Sequence, residues 1–402
     1  MRPFAATIPL EEARRLLAAA ARPLGRVEVV ALTGLGGRVV ADDVVASGDV
    51  PPFARAMMDG YAVRAADVAG ATREAPRRLA IVGRVFTGEV LARTIGDGEC
   101  AEIATGAPLP AGATGVVMVE ETSPVGDEHV DVLMAVHDGQ HVGRAGADIA
   151  RGAVVLHRGD VLLPARVGAV AAVGQAEARV WARPRVAIVS TGNEVVAPGQ
   201  TLGPGQIHDV NRHTLAAIVE AHGGIAVPFD VASDTLEGLD AAVDRAVTCD
   251  LVVLSGGSSV GNRDLVMDVL RARGSVVFHG IATRPGKPTA FGTIGDVPVF
   301  GMPGNPTSCL TNAYVLLVPF LRTMAHLPPH TPRIARVPLA RRVGSSVGRH
   351  QFYTVRLVDG QAEPAFKASG DITSMAHADG YIEIASDIAA VEAGTVVDVV
   401  LF

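Results

Sequence analysis

Hydrophobic positions along the chain fall into distinct textures, and the most regular lies between about residues 181 and 327. Residues 185–190 are a short β-branched run that stops at Thr191-Gly192-Asn193-Glu194, as a buried strand entering a loop would. From Asn211, Leu215, Ile218, Val219 and His222 recur at helical spacing, and Gly223-Gly224 supplies the stop. The cycle then repeats. Residues 225–231 read as a strand, Asp234 as the cap of a helix with Glu237 three residues on, and Leu236, Leu239, Val243 and Val247 as its buried stripe. Residues 250–254 form the next strand. Leu265, Val266, Val269 and Leu270 mark a helix over 264–273, and 276–281 and 297–301 read as further strands. Strands alternating with helices predict a parallel sheet covered on both faces, with ligands bound beyond the carboxyl ends of its strands.

The flanking segments differ. About 180 residues before the sheet are rich in Val, Gly and Pro with short alternating runs, which predicts β-structure. After it, Leu327-Pro328-Pro329-His330-Thr331-Pro332 reads as a linker, because clustered prolines stiffen a connection. Short strands at 333–337, 351–358, 381–385 and 395–401 then predict a small C-terminal β-domain, interrupted by a loop at 370–375.

Candidate chemistry sits where the strands of the central region end. Gly256, Gly257, Ser258, Ser259 and Gly261 form a loop whose backbone N–H groups suit an anion. Arg284-Pro285-Gly286-Lys287-Pro288 adds fixed positive charge, and Met302-Pro303-Gly304-Asn305-Pro306 is a third small-residue loop. Together they point to a small molecule bearing phosphate. Acidic residues near these loops, Glu194, Asp209, Asp230 and Asp264, suggest a divalent cation as well, since Mg2+ is commonly held by carboxylates plus substrate oxygens. Each loop taken singly also reads as ordinary turn chemistry, and Asp209 and Asp264 also read as helix caps. Asp59-Gly60 reads as a turn before a strand, residues 105–110 as a loop, and Asp148 and Asp160 as turn residues.

Composition narrows the class. A length of 402 residues exceeds one ordinary domain, and 49% hydrophobic with 4% aromatic residues predicts a core of Ala, Val, Leu and Ile. A net charge of −7 argues against a general nucleic-acid binder. The first 21 residues carry Glu11, Glu12, Arg14 and Arg15 in an amphipathic pattern rather than a secretory leader, and no apolar stretch approaches a membrane span. Cys100, Cys249 and Cys309 have neither metal-ligand spacing nor even number, so a cytoplasmic protein is expected. Cys309 reads as a buried helix residue rather than a nucleophile.

These motifs resemble, in order, those of the molybdopterin molybdenumtransferase family, the MoeA proteins and the related E domain of gephyrin. The matching segments are 56–64, 105–110, 190–194, 206–211, the glycine loop through Asp264, 284–288, 301–306 and the region 369–379. The resemblance implies a multidomain α/β protein. Its central molybdopterin-binding domain is a parallel-sheet fold similar to MoaB and MogA, with mainly β N-terminal lobes and a small C-terminal β-domain. The implied division is 1–47 with 145–180, an inserted lobe 48–144, the α/β domain 181–327 and the last domain 328–402. It further implies a homodimer with an active cleft between the central domain and parts of the partner subunit. The implied reaction joins adenylylated molybdopterin and molybdate, with Mg2+, and releases AMP; molybdopterin adenylyltransferase is the implied protein partner.

Carried over residue by residue, Asp59, Thr105, Asp148, Glu194, Asp230, Asp264, Pro303 and Pro306 match positions in or near the family's cleft. Phosphates are assigned to Gly256, Gly257, Ser258, Ser259, Arg284 and Lys287, with Gly261 and Asn305 in the same substrate loops. The metal is assigned to Glu194, Asp230 or Asp264, and molybdate to Arg284, Lys287, Pro303 and Ser308. Two positions depart from the family pattern: Asn193 replaces the usual Asp, and Ser258 the usual Val. Asn keeps an acceptor and loses a charge, which weakens a metal role there while Glu194 remains. A single-domain adenylyltransferase and a non-catalytic dimeric scaffold are the competing readings.

Overall fold

The computed structural model describes residues 7–256 and 265–402. The chain divides into two compact units, one of Met1–Glu28, Gly37–Val39 and Trp181–Phe402, the other of Val29–Gly36 and Val40–Val180.

The second unit is β-rich, as its alternating pattern predicts. Its main sheet comprises β1 (Gly60–Val63), β2 (Arg77–Val85), β3 (Glu99–Ile103), β4 (Gly115–Met118), β5 (Thr122–Val125) and β6 (His129–Val132), in the order β4-β1-β3-β2-β6-β5. Only the β2–β3 pair is parallel. Both faces are apolar: Tyr61, Val63, Leu79 and Val117 pack on one side, Ala62, Val85, Ala101 and Val116 on the other. Gly60 opens β1 because a Cβ there would lie 1.9 Å from the Val117 carbonyl oxygen. The helix Pro164–Ala172, begun by proline at its first turn, belongs to the same unit.

The other unit begins with α1 (Leu10–Ala20) and contains the expected α/β domain. Strands β7 (Arg185–Ser190), β8 (Ile225–Pro228), β9 (Leu251–Ser255), β10 (Ser275–His279), β11 (Ala290–Ile294) and β12 (Val297–Met302) make one sheet in the order β8-β7-β9-β12-β11-β10. The first four are parallel, as predicted. Strands β10 and β11 extend the sheet antiparallel, and β11 is an element the periodicity does not announce. Side chains alternate along β7. Val186 and Ile188 pack toward α2 (Asn211–Ala221), whereas Ala187 and Val189 pack toward α3 (Leu236–Ala246) and α4 (Leu265–Arg273). The cap of α3 is Thr235, whose side chain accepts from Gly238 N at 3.1 Å. Asp234 instead uses its own N–H to reach Asn193 Oδ1, so the chain enters the helix one residue later than predicted.

Two helices close the first face, α5 (Pro306–Asn312) and α6 (Val318–Met324), joined by a widened π turn at Ala313–Leu317. The turn precedes Pro319, which has no N–H to give to Val315. Phe320 meets Phe291 and Phe300 at ring separations of 5.4 and 5.2 Å in the core beneath.

Beyond the predicted linker, β13 (Ile334–Pro338), β14 (His350–Val358), β15 (Gln361–Pro364), β16 (Gly380–Ile384) and β17 (Val396–Leu401) form the C-terminal sheet. Strand β14 pairs on one side with β16, and on the other with β15 and with Thr283–Arg284 from the basic loop. The loop that carries Arg284 is thereby part of the C-terminal sheet. Among the described residues no helix is long and apolar enough to cross a membrane.

His222 ends α2 with its Nδ1 buried and without a hydrogen-bond partner, edge-on to His330 of the linker at 5.1 Å. Burial first, then the charges of His330 and Arg322, push its pKa down to about 4. The unfolded imidazole titrates near 6.5, so the contribution is complete above that pH and is lost as pH falls toward 4. Denaturant midpoints are expected to drop across this window by the equivalent of ~1–3 kcal/mol more than in a His222→Gln variant. Parallel pH profiles for the two proteins would refute this.

Candidate functional site

The register of the parallel strands aligns their carboxyl ends. Ser190 pairs with Ser255, and Ser255 with Met302, so the segments that follow β7, β9 and β12 emerge side by side. Thr191 N donates to Ser255 O at 2.8 Å, holding the first two together. Gly256 turns with φ +96°, and a Cβ there would meet the Thr191 carbonyl oxygen at 2.4 Å, so only glycine allows the approach. These ends open into a cleft of about 1100 Å³ whose other wall is the C-terminal segment around Phe366–Ile372.

The floor of the cleft is polar and buried. Asn211 Nδ2 donates to Ser255 Oγ at 2.7 Å and to Gly304 O at 2.8 Å, tying α2 to the ends of β9 and β12. Asp209 Oδ1 accepts from Arg212 N at 3.0 Å, which realises its reading as a cap. Its second oxygen, however, is buried without a hydrogen-bond partner, as are Ser190 Oγ, Thr191 Oγ1 and Asn211 Oδ1. Buried polar atoms are nearly always paired, so four unpaired ones gathered where β7 ends and α2 begins make this floor the candidate ligand surface.

Positive charge rims this floor. Arg284, Lys287, Arg349 and Lys367 all line the cleft, with Glu194 as the exposed carboxylate among them. The basic loop is held rigidly. Asn312, 1% exposed, donates to Gly286 O at 2.8 Å, and Thr289, fully buried, donates to the same oxygen at 3.0 Å. Arg284 Nη1 donates to Ser346 Oγ at 2.6 Å, in the turn that also carries Arg349. On the opposite wall, Asn305 Nδ2 donates to Ser369 Oγ at 2.9 Å and Thr307 Oγ1 to Asp371 O at 2.9 Å. Lys367 Nζ donates to Thr373 Oγ1 at 3.2 Å.

The predicted residues Glu194, Gly256, Arg284, Lys287, Pro303, Asn305, Pro306 and Ser308 are therefore gathered in one cleft. Asp230 is exposed and is not among the cleft-lining residues. Gly257, Ser258, Ser259, Gly261 and Asp264 lie outside the described residues. Asn193 is engaged by the N–H of Asp234, a loop-closing role that requires no charge. Among the described residues no three His, Cys, Asp or Glu cluster as metal ligands. Carboxylate is nonetheless present in the form Mg2+ accepts beside phosphates: Glu194, and the unpartnered oxygen of Asp209.

Arg349 and Lys367 were not singled out by the loop motifs. A compositional signal does point to one of them: the chain contains only two lysines, Lys287 and Lys367, and both line the cleft. Cys309 lies behind the floor, fully buried, with Sγ 3.9 Å from Ser255 Oγ, and burial pushes its thiol up to about 12. A thiol in that state is no nucleophile. Iodoacetamide is expected to leave Cys309 unlabelled in the native protein and to label it in denaturant; rapid native labelling, read by peptide mass spectrometry, would contradict this.

Asp59, Thr105 and Asp148 belong to the β-rich unit. There Asp59 Oδ1 accepts from Thr105 N at 2.7 Å and Thr105 Oγ1 at 3.0 Å, and these bonds, the backbone one first, hold its carboxyl below the usual range. Asp59 lines a small pocket of about 230 Å³ with Tyr61, Phe86, Glu102 and Val119. Asp148 is exposed, its N–H donating to Val50 O at 3.0 Å.

Three family models match the chain in succession: the MoeA N-terminal region (domain I and II) over residues 8–174, a probable molybdopterin binding domain over 187–323, and the MoeA C-terminal region (domain IV) over 336–402. Molybdopterin molybdenumtransferase 2 of Mycobacterium tuberculosis is 38% identical over 94% of both chains. A molybdopterin molybdenumtransferase of Haemophilus influenzae is 32% identical over 82% of both. The crystal structure of the molybdopterin biosynthesis MoeA protein from Pyrococcus horikosii superposes with a TM-score of 0.86 at 39% identity, covering 98% of this chain and 99% of that one. The chain belongs to the MoeA family. In this MoeA-family chain, the segment matched as the probable molybdopterin binding domain supplies the cleft floor, Glu194 and the basic loop, and the segment matched as the MoeA C-terminal region supplies Arg349 and Lys367.

Proposed function

We propose that the chain is a molybdopterin molybdenumtransferase that takes adenylylated molybdopterin and molybdate, uses Mg2+, and releases AMP as molybdenum cofactor forms. The observation that carries this reading is the cleft itself: among the described residues, four cations above a floor of unpartnered buried polar atoms, with Glu194 beside them. Such a surface suits an elongated substrate with anionic groups and a polar heterocycle. In this reading Arg284, Lys287, Pro303 and Ser308 seat the tetrahedral molybdate. Gly256, with Gly257, Ser258 and Ser259, holds the phosphates through backbone N–H groups. Glu194, with Asp264 or Asp209, holds Mg2+, which when bound neutralises charge on the phosphoanhydride.

The chain's own residues act by position and charge. Fixed cations on a loop clamped by Asn312 and Thr289 bring two anions together without rearranging, which favours ligand exchange and anhydride cleavage. No covalent nucleophile is required, and the buried Cys309 thiol supplies none. Asp59, Thr105 and Asp148 are further candidates for the reaction, in a cytoplasmic homodimer served by molybdopterin adenylyltransferase. The four-domain division expected from the sequence is retained as part of this proposal. The test is direct. Purified protein given adenylylated molybdopterin, Mg2+ and molybdate is expected to release AMP in a molybdate-dependent manner. Tight binding of the pterin with no AMP would favour a scaffold instead.

A further inference from the structure

Of 35 lysine and arginine residues only two are lysines, and both line one cleft. Everywhere else the chain uses arginine, whose guanidinium is always protonated and is a poor nucleophile. Lysine alone offers a side-chain amine that can lose its proton and attack a carbonyl. The cleft is therefore the one region of the sequence with side-chain amines. It also carries Arg284 and Arg349, two guanidinium groups suited to phosphate. Lys287 is half-buried within the clamped basic loop, whereas Lys367 is exposed on the opposite wall. Arg284 is tied through Ser346 to the turn that carries Arg349, so both guanidiniums belong to one supported rim.

We propose that this cleft is a lysine acylation site for acyl phosphates, with Lys287 and Lys367 as the modified residues. The phosphate of such a donor is drawn to the arginines, which raises the local concentration of its acyl carbonyl beside the amines. The step balances without an oxidant. A deprotonated Nζ, its first proton given to solvent, forms a bond to the acyl carbon; the bond from that carbon to the phosphate oxygen breaks, and the leaving inorganic phosphate keeps the electron pair and takes the second nitrogen proton, which leaves a neutral amide. Each acylation replaces a cation by a neutral amide, so modification of both lysines removes two of the four positive side chains that the described residues bring to the cleft. Acyl-phosphate supply would in this way silence the anion site. The reactivity is independent of the molybdenum chemistry proposed above.

The experiment compares two acyl donors on the intact chain. Acetyl phosphate and the uncharged N-hydroxysuccinimide ester of acetic acid are each given to the protein together with a lysine-containing reference peptide, and rates at each amine are read by mass spectrometry. The ratio of acetyl-phosphate rate to ester rate is expected to be about tenfold or more higher at Lys287 or Lys367 than in the peptide. Inorganic phosphate should bring it back toward the peptide's value. Arg349→Gln should lower the ratio while leaving the ester rate unchanged, which separates loss of phosphate recruitment from loss of fold. A ratio no higher than the peptide's at both lysines, or one that inorganic phosphate leaves unchanged, would overturn the proposal.

Discussion

Lys287→Ala is expected to lower kcat/KM for molybdate-dependent AMP release by between about 10-fold and 150-fold, the equivalent of one lost charge-assisted hydrogen bond of ~1.5–3 kcal/mol. The side chain lines the cleft, and its backbone is fixed on both sides: Lys287 O accepts from Ile281 N and Thr289 N, each at 2.9 Å. Removing the ammonium therefore leaves a rigid gap that neighbouring groups do not fill. Lys287→Arg keeps the charge but exchanges a compact ammonium for a planar fork, so a smaller loss is expected. The split between parameters is informative. A contact made equally to bound substrate and transition state raises KM alone, and one made only in the transition state lowers kcat. Wild-type kcat/KM in Lys287→Ala would remove the residue from the site.

Gly286→Ala is expected to be among the most damaging single-methyl changes in the cleft. Gly286 has φ +100°, a region that L residues enter only at a cost, and an added Cβ would lie 2.3 Å from Asn312 Nδ2. Asn312 cannot retreat without losing its bonds to Gly286 O and Thr289 Oγ1, both buried. Backbone strain and overpacking together predict ~2–5 kcal/mol of destabilisation, or local displacement of the basic loop with loss of activity. Denaturant unfolding and an activity assay on the same preparation distinguish the two. A variant within ~0.5 kcal/mol of wild type and fully active would show that the loop is not held as described.

Much of the α/β domain was legible because its period is local. Residues 186–190 and 251–254 are buried on both faces, so they read as continuous apolar runs, and the stripe from Leu215 to Val219 belongs to a helix with one buried side. Strand β11 was not legible. Its sequence, Ala-Phe-Gly-Thr-Ile, contains a glycine that lies against the Ser275 carbonyl oxygen, an approach visible only once β10 is beside it. The cap of α3 moved from Asp234 to Thr235 for a similar reason: Asn193, remote in sequence, took the N–H of Asp234. Local pattern cannot register a hydrogen bond to another loop.

The candidate site divides along the same line. By itself the sequence determined that strands end in glycine, basic and proline loops, and that cations and carboxylates lie near those ends, because turn chemistry and charge are written in consecutive residues. It also held, in its two lysines, a sign that one place on the chain needs an amine or a compact charge. Only the tertiary structure decided that Lys367 and Arg349 share the cleft with Lys287 and Arg284, because that depends on Thr283–Arg284 pairing with β14. It likewise decided that one oxygen of Asp209 caps a helix while the other is buried without a hydrogen-bond partner, since burial and partnership are properties of packed neighbours rather than of spacing.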